Sequence, residues 1–263
     1  MEGYRAEKQS KGKIMETIVM IHGMWGNGTY WKNYKTFFEA KGYNCIVPVL
    51  RYHNMDPKGR PHPSLGTTSL LDYAKDLEDL IRGLDQAPIL MGHSMGGLLA
   101  QILGSRNVAK ALVLLTPAPP RWIFALKLSV MRCFSEALLT WGFWRKPNRP
   151  SFEKTVYAVW HLLPAEQRKT EYENVVWESG RAATEIAFWL KESAVDASKI
   201  DCPVLVVSGS EDRITPESVV RKVAEKYGAK YKKFENHAHW VVGEPGWENI
   251  AAYIDDWIKE SCN

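Results

Sequence analysis

The chain has 263 residues, of which 45% are hydrophobic and 24% charged, and its formal net charge is +4. This composition is typical of a globular protein with a substantial core and excludes a disordered chain. Lysine and arginine are scattered rather than gathered in a basic stripe, which argues against a nucleic-acid partner. No apolar run is long enough to cross a bilayer, and residues 1–13 lack the apolar core of a signal peptide. We therefore expect a cytoplasmic protein without stable membrane insertion.

Apolar segments alternate with amphipathic ones along the first half of the chain. The pattern predicts strands at 17–21, 43–49, 88–91 and 111–115. It predicts helices at 31–41, from about 68, and at 95–105. Because each strand is apolar along nearly its whole length, the pattern indicates a parallel sheet covered by helices on both faces.

The alternation stops after Thr116. From there to Ile200 the sequence is helical and aromatic in character and contains no convincing strand. Further strands are predicted at 203–207 and 230–234, and further helices at 216–227 and 247–260. The simplest interpretation is one α/β core, residues 1–116 and 201–263, interrupted by a helical cap insertion at 117–200.

The run Gly92-His93-Ser94-Met95-Gly96-Gly97 contains the pattern G-x-S-x-G between a predicted strand and a predicted helix. A serine held above a sheet needs a very tight strand-to-helix turn, and glycines two residues before and after it remove side chains that would collide there. Ser94 would then lie at a helix N-terminus, where backbone N–H groups favour negative charge. Ser94 is therefore the candidate nucleophile.

These residues resemble the nucleophile turn of the α/β-hydrolase family, and the similarity runs from about Thr17 to the C-terminus. It is weakest in the insertion. The resemblance implies an α/β-hydrolase fold, a mostly parallel sheet with helices on both faces and a helical cap, and an esterase-type serine hydrolase. The family's first two strands often form a hairpin. Since residues 1–13 leave room for little of it, we expect that hairpin to be reduced or missing.

The family stabilises the oxyanion of the reacting ester with two backbone N–H donors. One comes from the residue after the nucleophile, which is Met95 here, and the other from the loop after a strand ending in His-Gly. The run from Ile21 to Gly26 fits that loop, so the resemblance implies Met24 as the second donor. His22 is expected to be structural.

In this fold the acid and the base follow the serine in the order Ser, Asp or Glu, His. The segment from Gly209 to Pro216 resembles the family's acid loop, G-x-x-D-x-x-x-P, and points to Asp212 rather than to its neighbour Glu211. After the last predicted strand, His237 and His239 are both candidates for the base. The resemblance favours His239, because an aromatic residue follows it and Glu244-Pro245 comes a few positions on.

The insertion is rich in aromatic residues, which would wall an apolar pocket if they cover Ser94. The candidate pocket residues are Trp25, Trp122, Phe124, Trp144, Trp189 and Trp240. The alternative is that most of these rings only pack the cap onto the sheet. Basic residues occur at intervals among the apolar residues in the first part of the insertion. Contact of the cap with a lipid surface is therefore a further alternative, although the sequence does not favour it.

The function that this pattern predicts is hydrolysis of a small-molecule carboxylic ester through an acyl-enzyme. A lipase, lactonase, thioesterase, perhydrolase or haloperoxidase-like activity would use the same three residues, and a non-catalytic ligand receptor is a further alternative. No cofactor is expected. No metal is expected either, because the sequence has no HExxH motif and its four cysteines lack zinc-ligand spacing. The natural substrate and the oligomeric state stay open.

Overall fold

The computed structural model describes residues 15–125 and 127–262. The strands in these ranges are β1 (Thr17–Ile21), β2 (Asn44–Ile46), β3 (Ile89–His93), β4 (Ala111–Leu115), β5 (Pro147–Asn148), β6 (Glu178–Ser179), β7 (Val204–Gly209) and β8 (Lys230–Phe234). Six of them form one sheet in the order β2-β1-β3-β4-β7-β8, with every neighbouring pair parallel. The other two, β5 and β6, form a small antiparallel pair.

The α-helices of the described ranges are α1 (Lys32–Ala40), α2 (Leu70–Arg82), α3 (Met95–Gly104), α4 (Leu128–Cys133), α5 (Ser135–Leu139), α6 (Phe152–Ala158), α7 (Ala165–Glu173), α8 (Gly180–Ala187), α9 (Glu217–Tyr227) and α10 (Trp247–Ser261). Short 3-10 turns occur at Gly28–Trp31, Leu65–Thr67, Phe143–Arg145, Lys191–Ser193 and Ala197–Lys199. Within the part of the chain that the structure describes, none of the helices combines the length and the apolar character that a membrane span requires.

The strands place alternate side chains on opposite faces of the sheet. In β1, Ile18 and Met20 join one buried cluster, together with apolar residues of α1 and α10. Val19 and Ile21 join the other, together with apolar residues of α2, α3 and α9. Because both faces are covered, the central strands β1, β3, β4 and β7 are buried along nearly their whole length, which is the pattern that predicted a parallel sheet. The edge strand β8 is different, since it has three lysines and is only partly buried.

The predicted α/β-hydrolase fold, with its mostly parallel sheet, is confirmed. Two details were wrong. The second strand ends at Ile46 rather than near Val49, because Pro48 has no N–H to donate to a ladder at this sheet edge. The insertion does contain strands, β5 and β6, but each has two residues and is too short to produce a sequence period. The prediction of a reduced N-terminal hairpin falls on residues 1–13, which lie outside the described residues.

Residues 117–200, which we call the cap segment, connect the neighbouring strands β4 and β7. Two buried carboxylates of this segment hold it to the rest of the chain. Glu178 accepts a hydrogen bond from the hydroxyl of Tyr73 at 2.8 Å and pairs with Nε2 of His53 at 3.1 Å. Glu185 accepts from Leu70 N at 2.7 Å, at the N-terminus of α2. These contacts support our proposal that the cap segment is a separate layer on an α/β core.

Both ring nitrogens of His53 face acceptors, since its Nδ1 lies 3.0 Å from the carbonyl oxygen of Arg51. Burial by itself lowers the pKa of His53. The negative charge of Glu178 and these hydrogen bonds outweigh burial, so the net effect is a raised pKa. His53 and Glu178 therefore form a buried pair between the core and the cap segment, in which the carboxylate favours the charged form of the imidazole.

Candidate active site

Ser94 lies on a tight turn between β3 and α3. Its φ of 56° and ψ of −120° are unusual for a residue with a side chain, and its N–H is held by Leu115 O at 3.0 Å. A Cβ at Gly92 would lie 2.2 Å from the carbonyl oxygen of Gly96, and a Cβ at Gly96 would lie 2.1 Å from Ile21 O. Neither position therefore has room for a side chain, which is the physical reason for the glycines that the motif requires.

Asp212 and His239 form a buried pair on the loops that follow β7 and β8. His239 Nδ1 lies 2.8 Å from Asp212 Oδ2. The N–H groups of Ile214 and Thr215 donate to Asp212 Oδ1 at 2.8 and 2.9 Å, and Thr215 Oγ1 lies 2.8 Å from Oδ2. The carboxylate is thereby fixed by its own loop, and it selects the tautomer of His239 in which Nδ1 carries the proton.

His93 connects the serine turn to the loop that carries His239. Its Nε2 donates to the backbone carbonyl oxygen of His239 at 2.8 Å, and the two rings lie 4.9 Å apart. Burial and the neighbouring His239 lower the pKa of His93 to about 3. His93 is therefore a neutral donor that positions the His239 backbone.

The loop after β1 approaches the serine closely. A Cβ at Gly23 would lie 2.9 Å from the Cβ of Ser94. Among the residues that the structure describes, no acceptor faces the N–H of Met24 or that of Met95, which is the first residue of α3. Both methionines and Ser94 line one cavity. Two N–H donors without protein partners among the described residues thus lie at the cavity that Ser94 lines, and that these N–H groups form the oxyanion hole stays a prediction.

Trp25 ties this loop to the cap segment. Its backbone has a φ of 58°, its indole N–H donates to Asn148 Oδ1 at 2.9 Å, and its carbonyl oxygen accepts from Val176 N at 2.9 Å. Two residues of the cap segment therefore hold the residue that follows Met24. The expectation that His22 is structural agrees with its contacts, because it donates through Nδ1 to Gly23 O and accepts from Leu50 N.

The alternative acid and base are placed elsewhere. His237 Nδ1 lies 3.0 Å from Glu244 Oε1, and the ring packs 6.0 Å from that of Phe234. Glu211 is exposed, and its backbone N–H donates to His237 O. The structure thus brings Asp212 and His239 together and keeps Glu211 and His237 in the loop framework.

Two cavities meet at Ser94. One, of about 40 Å³, is lined by Ser94, His239 and Trp240 together with Trp25, Tyr30 and Trp160. The other, of about 310 Å³, is almost entirely apolar and extends beneath the cap segment. Its walls include Met131, Phe134, Ala183, Phe188, Trp189 and Ile214. Ser94 therefore faces a small compartment beside the histidine and a larger apolar one beside the two N–H donors.

The predicted pocket residues divide evenly. Trp25 and Trp240 line the small cavity, and Trp189 lines the large one. The other three line neither cavity, so their prediction is corrected: Trp122 is exposed under the Arg121 guanidinium, Phe124 packs against Trp189 from outside, and Trp144 packs on Trp141. These three side chains are aromatic, as expected for an apolar pocket, but they lie on the outer side of the cap segment.

Sequence reasoning missed Phe134, which lines both cavities, and Ile214, which lies two residues after Asp212 and does the same. Ile214 could have been found, because any side chain so close to the acid loop must lie near the site. Phe134 could not have been found from the sequence. It lies among many apolar residues, and their spacing has no period that would separate positions facing the cavity from positions facing outward.

Within residues 15–125 and 127–262 no three His, Cys, Asp or Glu side chains cluster as a metal site requires. The chemical groups at the site are a serine hydroxyl, a histidine fixed by a carboxylate, and backbone N–H donors. This set is suited to acyl transfer by nucleophilic attack, general base catalysis and oxyanion stabilisation.

Known proteins are similar to this chain in sequence and in fold. The chain is 28% identical over 253 residues to the non-heme chloroperoxidase CPO-A1 of Kitasatospora aureofaciens, with 87% of this chain and 86% of that protein covered. A tomato methylketone synthase I, solved with 2-tridecanone, superposes with a TM-score of 0.72 at 16% identity, covering 95% of this chain and 100% of that one. A monoacylglycerol lipase of Paleococcus ferrophilus superposes with a TM-score of 0.69 at 21% identity, covering 92% of this chain and 93% of that one.

The two solved structures are similar in fold, and at these identities the likeness extends no further. The family model is more specific, because residues 18–251 match the alpha/beta hydrolase family over most of the chain. That match includes the serine turn, the acid loop and the histidine loop described above. The chain belongs to the alpha/beta hydrolase family.

Proposed function

We propose that this protein is a serine hydrolase that cleaves carboxylic esters through an acyl-enzyme. The observation that carries the proposal is the hydrogen bond of 2.8 Å between His239 Nδ1 and Asp212 Oδ2. His239 lines the same small cavity as Ser94, which lies on a strained turn. A carboxylate-bound histidine that shares a cavity with a serine hydroxyl is the pairing that can activate serine as a nucleophile.

In the first half of the reaction, Ser94 Oγ attacks the ester carbonyl carbon and His239 takes the hydroxyl proton. The N–H groups of Met24 and Met95 stabilise the oxyanion. His239 then returns the proton to the leaving oxygen, and an alcohol departs. In the second half a water molecule, deprotonated by His239, attacks the carbonyl carbon of the acyl-enzyme. His239 then returns that proton to Ser94 Oγ as the acyl–oxygen bond breaks, which releases the acid and restores the serine hydroxyl.

The two cavities suggest which part of the ester goes where. The leaving oxygen must face His239, which lines the small cavity and not the large one. A volume of about 40 Å³ suits a short alcohol, since one water needs about 10–15 Å³. The apolar cavity of about 310 Å³ would take the acyl chain, and a cavity of about 150 Å³ already accepts benzene. We therefore propose esters of medium-length apolar acids with small alcohols.

The name of the Kitasatospora relative supports a second candidate function, peroxide-dependent halogenation. On the same residues, hydrogen peroxide in place of water would attack the acyl-enzyme and release a peracid, which oxidises halide. The large apolar cavity favours hydrolysis of longer esters over this reaction, which needs only a short acid. Lactonase and thioesterase activities are further variants on the same acyl-enzyme.

The experiment compares Ser94→Ala with Ser105→Ala on short-alcohol esters of increasing acyl length. Ser105 is a matched control, because it ends the same helix and its hydroxyl bonds only within that helix end, to Ile102 O at 2.7 Å. We expect Ser94→Ala to fold and to lose nearly all hydrolysis, and Ser105→Ala to keep it. Full activity in Ser94→Ala would refute the proposal, and activity only with peroxide and halide would select the second candidate.

A further inference from the structure

A group of large apolar side chains is exposed on the outside of the cap segment. On α4, Leu128 is 86% exposed and Met131 57% exposed, and the two lie three residues apart on one helix face. Phe188, after α8, is 51% exposed, and Phe124 is 48% exposed. We call these four residues the mouth patch. Isolated exposed apolar residues are ordinary, whereas several that adjoin one apolar cavity are a candidate binding surface.

The mouth patch is continuous with the apolar cavity that leads to Ser94. Met131 and Phe188 are partly exposed and also line that cavity. Trp189 lines it too, and the ring of Phe124 packs edge-on against Trp189 at 4.7 Å. Two of the four residues of the mouth patch therefore reach the cavity directly, Phe124 is joined to it through Trp189, and Leu128 lies on the same helix as Met131.

The segment that carries Phe124, Leu128 and Met131 of the mouth patch is strongly basic. Residues 121–149 contain six basic side chains and one acidic one. Lys127 directly precedes Leu128 and Arg132 directly follows Met131, and both are exposed. An apolar surface with basic residues at its border is complementary to an anionic lipid surface, where apolar side chains enter the acyl boundary and cations meet the headgroups.

From this continuity and charge we propose that the mouth patch docks on an anionic lipid surface, so that an apolar acyl chain can pass from the lipid into the cavity above Ser94. Docking is peripheral and reversible, through side chains alone. The chemistry proposed for Ser94 is not needed for docking, so the two proposals can fail separately.

The experiment measures sedimentation with vesicles of phosphatidylcholine, with and without about 30 mol% phosphatidylglycerol. It uses the wild type, Ser94→Ala, and the double variant Leu128→Ser with Phe188→Ser. The matched control carries Leu71→Ser and Leu80→Ser, two exposed leucines of α2 outside the mouth patch. Circular dichroism and analytical size-exclusion chromatography establish that each variant is folded and report its oligomeric state.

We expect the wild type, Ser94→Ala and the control to bind the anionic vesicles, and the mouth-patch variant to bind about tenfold more weakly or worse. Binding to neutral vesicles should be weaker than to anionic ones. The proposal is overturned if the wild type stays in the supernatant, if neutral and anionic vesicles bind alike, or if the control variant loses as much binding as the mouth-patch variant. It is also overturned if the wild type is a dimer that only the mouth-patch variant dissociates, because the patch would then bind a second copy.

Discussion

In the α/β part of the chain the groups of the candidate site lie on short turns directly after strands. Ser94 follows the last residue of β3, Asp212 comes shortly after β7, and His239 comes shortly after β8. In the cap segment the cavity walls come from positions as far apart in sequence as Met131 and Ala183, on separate short helices. The first region fixes reacting groups by backbone geometry, whereas the second surrounds them with side chains that only need to be apolar.

This contrast predicts that changes in the first region abolish the reaction, while changes in the second alter its selectivity, its stability or its location. We expect changes in the walls that the cap segment contributes to the apolar cavity, such as Met131 and Ala183, to leave the pair of His239 and Asp212 in place. The backbone around Ser94 has no such freedom, because Gly92 and Gly96 have no room even for a methyl group.

The largest expected effect separates the two histidines. His239→Ala should lower kcat/KM by about a thousandfold or more, because the serine loses its base. His237→Ala should keep most activity, since its partner is Glu244 and not Asp212. Steady-state kinetics on one ester, with thermal melting to verify folding, make the comparison. A dead but folded His237→Ala beside an active His239→Ala would move the base two residues upstream.

The next effect concerns the attachment of the cap segment. Glu178→Ala removes the partner of His53 and of Tyr73 in a buried site, and breaking a buried pair costs about 3–5 kcal/mol. Glu173→Ala, an exposed residue of the same segment, is the control and should change stability little. Urea unfolding measures both free energies. If the two variants are equally stable, the buried carboxylate does not hold the layers together.

A smaller effect is expected on acyl selectivity. In the wild type, kcat/KM should rise by about fourfold for each newly buried methylene, then fall once the cavity of about 310 Å³ is full. Ala183→Leu narrows that cavity, so the optimum should move to shorter acids. Ala165→Leu, on the exposed face of α7, should leave the optimum unchanged. A steady decline from acetate in the wild type would mean that the acyl chain does not enter this cavity.

The smallest effect is a pH dependence of stability. The pKa of His53 is raised in the folded protein, so the stabilisation from its charge is complete below its ordinary value of about 6.5. That stabilisation is lost as the pH rises through the folded-state value. The melting temperature of the wild type minus that of His53→Gln should therefore be greatest near pH 6 and shrink in alkali. Glu178→Gln should likewise weaken the pH dependence of the melting temperature. A difference between the melting temperatures of the wild type and His53→Gln that stays constant with pH would argue against an ion pair of His53 and Glu178.

The sheet, its order of elements and the placement of the candidate site residues on turns after strands were predictable from the sequence because local rules decide them. A tight turn requires the glycines around Ser94, and loops after parallel strands meet at one sheet edge, which brings Asp212 and His239 together. The cap segment follows no such rule. Trp122 and Trp189 are the same residue type in the same segment, yet one is exposed and the other lines the cavity. Only tertiary packing separates them.

The two buried carboxylates that hold the cap segment could not be predicted from the sequence either. Glu178 and Glu185 are ordinary acidic residues there, and their partners His53 and Leu70 lie more than a hundred residues away. Nothing in the local pattern distinguishes them from the exposed Glu173. Long-range polar pairs of this kind become visible only when the fold places both partners.

The most direct test of the account is covalent trapping of the serine. The native protein is treated with a fluorophosphonate, and the modified residue is identified by mass spectrometry after digestion. We expect one adduct, on Ser94, that forms rapidly in the wild type and in His237→Ala but slowly in His239→Ala. An adduct on another serine, or equal rates of labelling in His239→Ala and the wild type, would contradict the assignment of Ser94 as a nucleophile activated by His239.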